Sequence, residues 1–305
     1  LRMQGFFGTT QGEPTAMKYD LRVQAAAGSP RLTLLLTISH WADRNRSNNR
    51  EEPYGQLDPI ISVADLSVRF ALSGEPERVA FGTDRDSFVS EGPANLWQPD
   101  DLHYVISQTG KPPADGTRAP GWVAVKRDRN WCVLGVRHFW QNCPKGLFVT
   151  PAAIGARLYA GNQPFNWEAG LAKTHEIVLD FPSAKDHSTP PTVVLDPLRL
   201  TMPPAWACGT KAIGAVLPRG AEALQRFGYW ECWRDADMRD YVNQMPFGMR
   251  DFGDGYMGGP YKGRNAYQNL EYDVPYNYLL EFLRTGDPWY VNAAEPMVRH
   301  QTDID

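Results

Sequence analysis

Cysteine is scarce and scattered in this 305-residue chain: Cys132, Cys143, Cys208 and Cys232 form no CxxC pair. A zinc knuckle or a thioredoxin-type site is thereby excluded. The four read as buried free thiols, with a disulfide the alternative in an exported protein. No apolar run approaches the ~20 residues of a membrane-spanning helix; the longest, around Leu32–Ile38, is strand-sized. Charge of one sign is lacking too. Thirty-one Lys and Arg against 35 Asp and Glu leave a net −4, with no basic stripe to neutralise phosphates. Neither nucleic acid nor a membrane is expected as a partner. GxSxG, P-loop, dinucleotide-fingerprint and HExxH motifs are absent, which removes the hydrolase-elbow, nucleotide and zincin readings. There is no internal repeat. The chain opens at Leu1 without a start methionine or signal-peptide pattern, so its N-terminus reads as processed or trimmed. A secreted or periplasmic location is the expectation.

Aromatics are abundant. Ten tryptophans and thirteen tyrosines accompany many Asn, Asp and Arg residues, a mixture that suits either a large aromatic core or sugar recognition, where flat rings stack on pyranose faces. The texture of the chain changes midway. Up to about Phe181 short period-two runs alternate with Gly, Pro, Asn and Asp, as antiparallel strands require. Strands are expected at Arg31–His40, Ile61–Leu72, Leu102–Ser107, Gly121–Arg127, Trp131–Trp140, Leu147–Thr150, Ile154–Tyr159 and Thr174–Phe181, with Lys126–Asn130 a polar hairpin connection. So many strands at this spacing imply a sandwich and not a βαβ fold.

Beyond a Pro-bounded polar linker the period becomes helical. Ala221–Gln244 reads as one helix or a broken pair, and Tyr272–Thr285 carries an apolar stripe of Tyr276, Leu279, Leu280 and Leu283. Gly286 supplies a stop, Asp287 an N-cap and Pro288 a first-turn residue. The last helix, Pro288–Asp305, turns Tyr290, Ala293, Ala294, Met297 and Ile304 inward. A short connection makes the pair an αα-hairpin. The organisation expected is an antiparallel β-sandwich over 1–182, a linker and irregular segment over 183–220, and over 221–305 the N-terminal part of an α/α toroid. With so few helices the toroid reads as truncated, leaving Leu279, Leu283, Ala293 and Met297 partly exposed and the chain prone to self-association.

Chemistry concentrates in the Gly- and Tyr-rich stretch 248–273, which carries Arg250, Asp251, Asp254, Tyr256, Arg264, Asn269, Glu271, Tyr272 and Asp273. Glycines let a backbone approach a ligand closely, and a long loop between elements is more often functional than structural. In the last helix His300 borders the inward face, with Asp303 one turn on to orient its imidazole. Arg299 has Glu295 and Asp303 four residues away on either side, so surface pairing competes with a site role. In the strand read at Trp131–Trp140, His138 and Trp140 share one face and could line a sugar cleft; Trp140 equally suits a sandwich core.

Five stretches together carry a family resemblance: GWVAVKRDRNWCVLGVRHFWQNCPKG (121–146), LAKTHEIVLDF (171–181), GMRDFGDGY (248–256), NLEYDVPYNYLLEFLRTGD (269–287) and RHQTDID (299–305). In these the chain resembles the exo-rhamnogalacturonan lyase-like proteins, built of a RIFT barrel, a central β-sandwich and a C-terminal α/α toroid. The resemblance implies β-elimination on a polysaccharide or oligosaccharide containing uronic acid. Such chemistry asks for a base at the C5 proton, cationic or amide groups at the carboxylate, and an acid for the leaving O4. His300 or Tyr256 is expected as base or acid, and Arg250, Arg299 and Asn269 as carboxylate holders. Tyr272, Glu271, Asp254, His138 and Trp140 complete the expected sugar contacts, in a cleft where sandwich meets toroid. No cofactor is required, and a divalent cation stays open. An inverting glycoside hydrolase using Asp251, Asp254, Glu271 and Asp273 and a non-catalytic sugar-binding fragment are the competing readings.

Overall fold

The computed structural model describes residues 1–12, 14–40, 60–128, 130–182, 195–261, 264–267, 270 and 273–304, without the side chains of 14, 256–261 and 264–267. The chain divides into two compact units, Leu1–Pro197 and Leu198–Asp303. The first is antiparallel sheet and the second mainly helix, so the order is β then α.

Sixteen strands of the first unit are β1 (Arg2–Gly8), β2 (Pro14–Ala25), β3 (Arg31–His40), β4 (Ile60–Val63), β5 (Leu66–Ala71), β6 (Arg78–Gly82), β7 (Ser87–Ser90), β8 (Ala94–Gln98), β9 (Tyr104–Gln108), β10 (Ala114–Gly116), β11 (Trp122–Arg127), β12 (Asn130–Val136), β13 (Lys145–Thr150), β14 (Ala153–Tyr159), β15 (Phe165–Glu168) and β16 (Ala172–Asp180). One sheet runs β1-β2-β3-β16-β12-β11-β6-β7 and the other β10-β9-β8-β13-β14-β5, while β4 and β15 form a separate pair. Period-two alternation fills the space between the sheets. Val79 and Phe81, Val123 and Val125, Leu134 and Val136, Leu147 and Val149, Ile154 and Ala156 are each at most 1% exposed, at every second position as a pleated strand presents them. Arg127 reaches from the larger sheet to the β13–β14 turn, donating to the Thr150 and Pro151 carbonyls at 2.6 and 2.7 Å.

Two strand expectations change, and seven strands, β1, β2, β6, β7, β8, β10 and β15, stand where none is expected. Ile61–Leu72 is two strands in two sheets, because the chain bends at Ala64; the carboxylate of the next residue, Asp65, accepts from Ser67 Oγ and Arg157 Nε. In β1 and β2 every described side chain except that of Met17 is exposed or half-buried, with little alternation, so these two carry no period-two signal. The strand expected to Trp140 stops at Val136: His138 takes φ 50° in a turn, where its carbonyl accepts the Asn142 backbone N–H at 3.1 Å and Nδ2–H at 3.0 Å. His138 and Trp140 therefore share no strand face.

In the second unit, α1 (Pro204–Gly209), α2 (Ala221–Asn243), α3 (Val274–Thr285) and α4 (Pro288–Asp303) accompany a hairpin of β17 (Tyr256–Tyr261) and β18 (Arg264–Tyr267). α2 is kinked at Phe227, whose φ/ψ of −133/20° leaves the helical region. Gly286 closes α3 at φ 71°, and Asp287 Oδ1 accepts the Trp289 N–H at 2.9 Å to start α4. Tyr290, Ala293, Ala294 and Met297 pack inward against Met238, Met245, Phe252, Leu270 and Tyr278. α3 presents a different face from the one its leucines suggest. Pro275, Tyr278, Glu281 and Arg284 are buried, whereas Tyr276 and Leu279 are exposed. The reason is an ion network: Arg284 donates to Glu231 at 2.5 Å, Glu281 at 2.6 Å and the Leu217 carbonyl at 2.8 Å. Beside it Arg219 donates to Asp235 at 3.1 Å and to the Tyr290 hydroxyl at 3.0 Å. Leu283 is half-buried, and Ala293 and Met297 are fully covered, so the apolar strip expected to be open is open only in α3. All four cysteines are free, with Cys232 alone exposed. Among the described residues no helix is long and apolar enough to cross a membrane.

Candidate active site

The loop before β17 is held against α4 by a glycine. Gly253 sits at φ 106°, and a Cβ there would overlap the Pro296 carbonyl and stand 2.8 Å from His300 Cβ. Only a residue without a side chain lets the loop backbone lie so close to the helix. This contact delivers the next residue, Asp254, to His300: Asp254 Oδ2 lies 3.7 Å from His300 Nε2. Asp254 Oδ1 accepts the Gly255 N–H at 2.6 Å, and the Asp254 N–H donates to the Asp251 carbonyl at 3.0 Å, so the carboxylate is aimed by its own turn. Both side chains are buried, each 2% exposed. At this distance the Asp254 carboxylate faces Nε2 as a charge partner, beyond hydrogen-bond length.

A third group joins the pair from α2. A Cβ at Gly255 would overlap the Tyr241 hydroxyl, so this glycine makes room for the phenol beside Asp254. Burial, with the Asp254 charge adding to it, pushes the Tyr241 pKa up to about 12, so the phenol stays protonated as a donor across the physiological range. Asp303, expected to orient His300, is itself buried, but the carboxylate facing Nε2 is that of Asp254. Tyr241 gave no sequence signal: it is one of thirteen tyrosines, and only the close approach of Gly255 marks it.

The remaining expected residues are dispersed. Arg299 is half-buried on α4, and its expected surface partner Glu295 is engaged by Arg199. Arg250 is exposed in the loop that carries Asp254. Tyr256 pairs with Tyr267 across the β17–β18 hairpin through its backbone. Asn269, Glu271 and Tyr272 lie outside the described residues. Asp273, of the hydrolase reading, is exposed just before α3 at φ 54°. His138 and Trp140 belong to the sandwich unit, where Arg118 Cζ covers the Trp140 ring at 4.2 Å. Among the described residues no group of three or more His, Cys, Asp or Glu side chains is arranged to hold a metal.

Comparison with known proteins adds little to this geometry. No family model and no curated protein matches the chain. A solved structure described as an aldose 1-epimerase, from Escherichia coli K12, overlaps 60% of this chain and 65% of its own length, at 7% identity and a TM-score of 0.28. The chain thus spans under two thirds of that protein. Likeness at this level bears on neither fold nor activity, and the His300–Asp254–Tyr241 group rests on its own geometry.

Proposed function

We propose that the chain is part of a carbohydrate-active enzyme that cleaves uronic-acid-containing, rhamnogalacturonan-like glycans by β-elimination, its helices forming the start of an α/α toroid. One observation carries this reading. Two separate stretches that bear the family resemblance, 248–256 and 299–305, meet at Gly253 and bring Asp254 to His300. A histidine beside a carboxylate suits a general base, because the carboxylate favours the imidazolium that forms. His300 would take the C5 proton while Asp254 stabilises the imidazolium, and Arg250 or Arg299 would balance the charge growing on the uronate. The tyrosine hydroxyls of 241 and 256 are the donors considered for the leaving O4. Because His300 is 2% exposed, glycan entry must uncover its ring.

The test follows ultraviolet absorption of the unsaturated uronate released from rhamnogalacturonan oligosaccharides by the full enzyme. Turnover should fall by roughly 10²-fold in His300→Ala and comparably in Tyr256→Phe, with substrate binding less affected. Absorbing product at near-native rate in His300→Ala would overturn the base assignment. New reducing ends without absorbing product would establish hydrolysis, with the carboxylates Asp251, Asp254, Glu271 and Asp273 next to examine. Binding without either product would make the chain a recognition module.

A further inference from the structure

Far from the helical site in sequence, the sandwich interior holds a cluster of basic groups. β16 turns Lys173, His175 and Ile177 to the space between the sheets, and β13 turns Lys145 there in line with Leu147 and Val149. Lys145 is 0% exposed, His175 4% and Lys173 5%. Lys145 Nζ donates to the Leu158 carbonyl at 2.9 Å and lies 3.3 Å from His175 Nδ1. An ammonium has no lone pair, so Nδ1 must accept. The neutral ring then carries its hydrogen on Nε2, and that buried nitrogen has no hydrogen-bond partner. The ammonium's third N–H is a second donor still to be satisfied.

Charge is unbalanced as well. The groups acting on Lys145 are Lys173 and the Cys143 thiol, and those acting on His175 are Lys145 and Lys173, with no carboxylate among them. Burial, then Lys173, pushes Lys145 down to about 7. Burial, then the two lysines, holds His175 well below its usual range, which keeps it neutral and limited to one N–H. A buried cation without a counter-charge is expensive, and an unmatched buried donor adds to the cost. One small acceptor carrying negative charge removes both penalties, whereas water removes only the second.

We propose that Lys145 and His175 form a binding site between the two sheets for a small inorganic anion of chloride size, which accepts from His175 Nε2–H and Lys145 Nζ–H. Lys173 adds positive field from the same strand. Lys145 and His175 are 0% and 4% exposed, so a large oxyanion or sugar acid would have to displace core side chains to reach them, and both lie in the sandwich unit and not in the helical one. Binding needs the ammonium form, so anion affinity falls as pH rises through neutrality.

Two measurements test it. Melting is followed in chloride and in gluconate at matched ionic strength, below and above neutral pH. Chloride should raise the melting temperature by about 2–4 °C on the acid side. The difference should fade on the alkaline side and be absent in Lys145→Met, or in His175→Leu should the first variant not fold. Crystals grown in bromide should show anomalous density at His175 Nε2. Equal chloride effects in wild type and variant, bromide only at exposed side chains, or a water at Nε2 on the acid side would each overturn the site.

Discussion

Gly253 shows how much one residue without a side chain can decide. Its backbone at φ 106° lies against the Pro296 carbonyl and His300, so Gly253→Ala adds both a strained dihedral and an overlap with helix backbone. We expect a loss of about 1–3 kcal/mol in urea denaturation, with activity reduced further because Asp254 is displaced from His300. A variant as stable as wild type would mean the loop does not lie against α4. Much of this was readable beforehand in kind. The glycines pointed to close backbone approach, and His300 and Asp254 were both singled out. Their pairing was not readable, because the residues stand 46 positions apart and a sequence pattern places neighbours only within a few turns. Asp303, three residues from His300, was the local choice for the same reason.

At the scale of elements, α3 shows tertiary context overriding a pattern. A stripe of Tyr276, Leu279, Leu280 and Leu283 marks one side of that helix, yet the covered side holds Glu281 and Arg284. Arg284 has three acceptors from three parts of the unit, two of them carboxylates. Arg234 still pairs with Glu231 at 2.5 Å and with Glu281 at 3.1 Å, so Arg284→Met removes only part of the charge-assisted bonding and should cost about 1.5–3 kcal/mol by chemical denaturation. Adding Arg234→Met, Glu231→Leu and Glu281→Leu, so that all four charges leave together, should recover most of that loss. Recovery would show that the cost comes from unpaired charge, and its failure would assign it to packing. The network also carries a pH signature. Burial raises Glu231, but the Arg284 hydrogen bond and the charges of Arg234, Arg284 and Arg219 outweigh it and hold the carboxyl below 4.5. Asp235 is likewise held below 3.8, burial being outweighed by hydrogen bonds from Tyr290 and Arg219. Folded-state values under the unfolded ones mean that this stabilisation is present above those unfolded values. It is lost as pH falls below them. The helical unit should therefore melt at progressively lower temperature on the acid side of about pH 4.5, and Glu231→Gln should blunt that dependence.

For the molecule as a whole, the exposed surface is unevenly apolar. Trp206, Leu224, Phe227, Tyr229, Trp230 and Trp233 are all at least 47% exposed, and the Trp230 ring on α2 meets those of Tyr229 and Trp233 edge to face at 5.4 and 6.0 Å. The exposed apolar surface expected as a strip on α3 and α4 is larger on α2. Light scattering should show concentration-dependent association of the chain, and Trp230→Glu with Trp233→Glu should reduce it. Unchanged mass in the variant would place the contact elsewhere. The sandwich adds a second pH dependence. Lys145 sits at about 7 against 10.5 when unfolded. A base depressed by folding opposes the folded state fully below about 7, and the penalty is relieved as pH rises towards 10.5. In anion-free buffer the sandwich should gain stability across that window, and Lys145→Met should flatten the rise.

Composition and period by themselves determined the β-then-α order, the antiparallel two-sheet character and the caps at Gly286 and Asp287, because each of these depends on contacts within a few residues or on alternation along one strand. The split of 60–71 between sheets, the early end of β12 before His138, the buried face of α3 and the meeting of Asp254, His300 and Tyr241 were decided only by the tertiary structure. Each depends on a partner distant in sequence: Arg157 for Asp65, Glu231 for Arg284, Pro296 and His300 for Gly253. Hydrophobic pattern records which residues avoid water, and it carries no record of which charged groups will be buried together once paired.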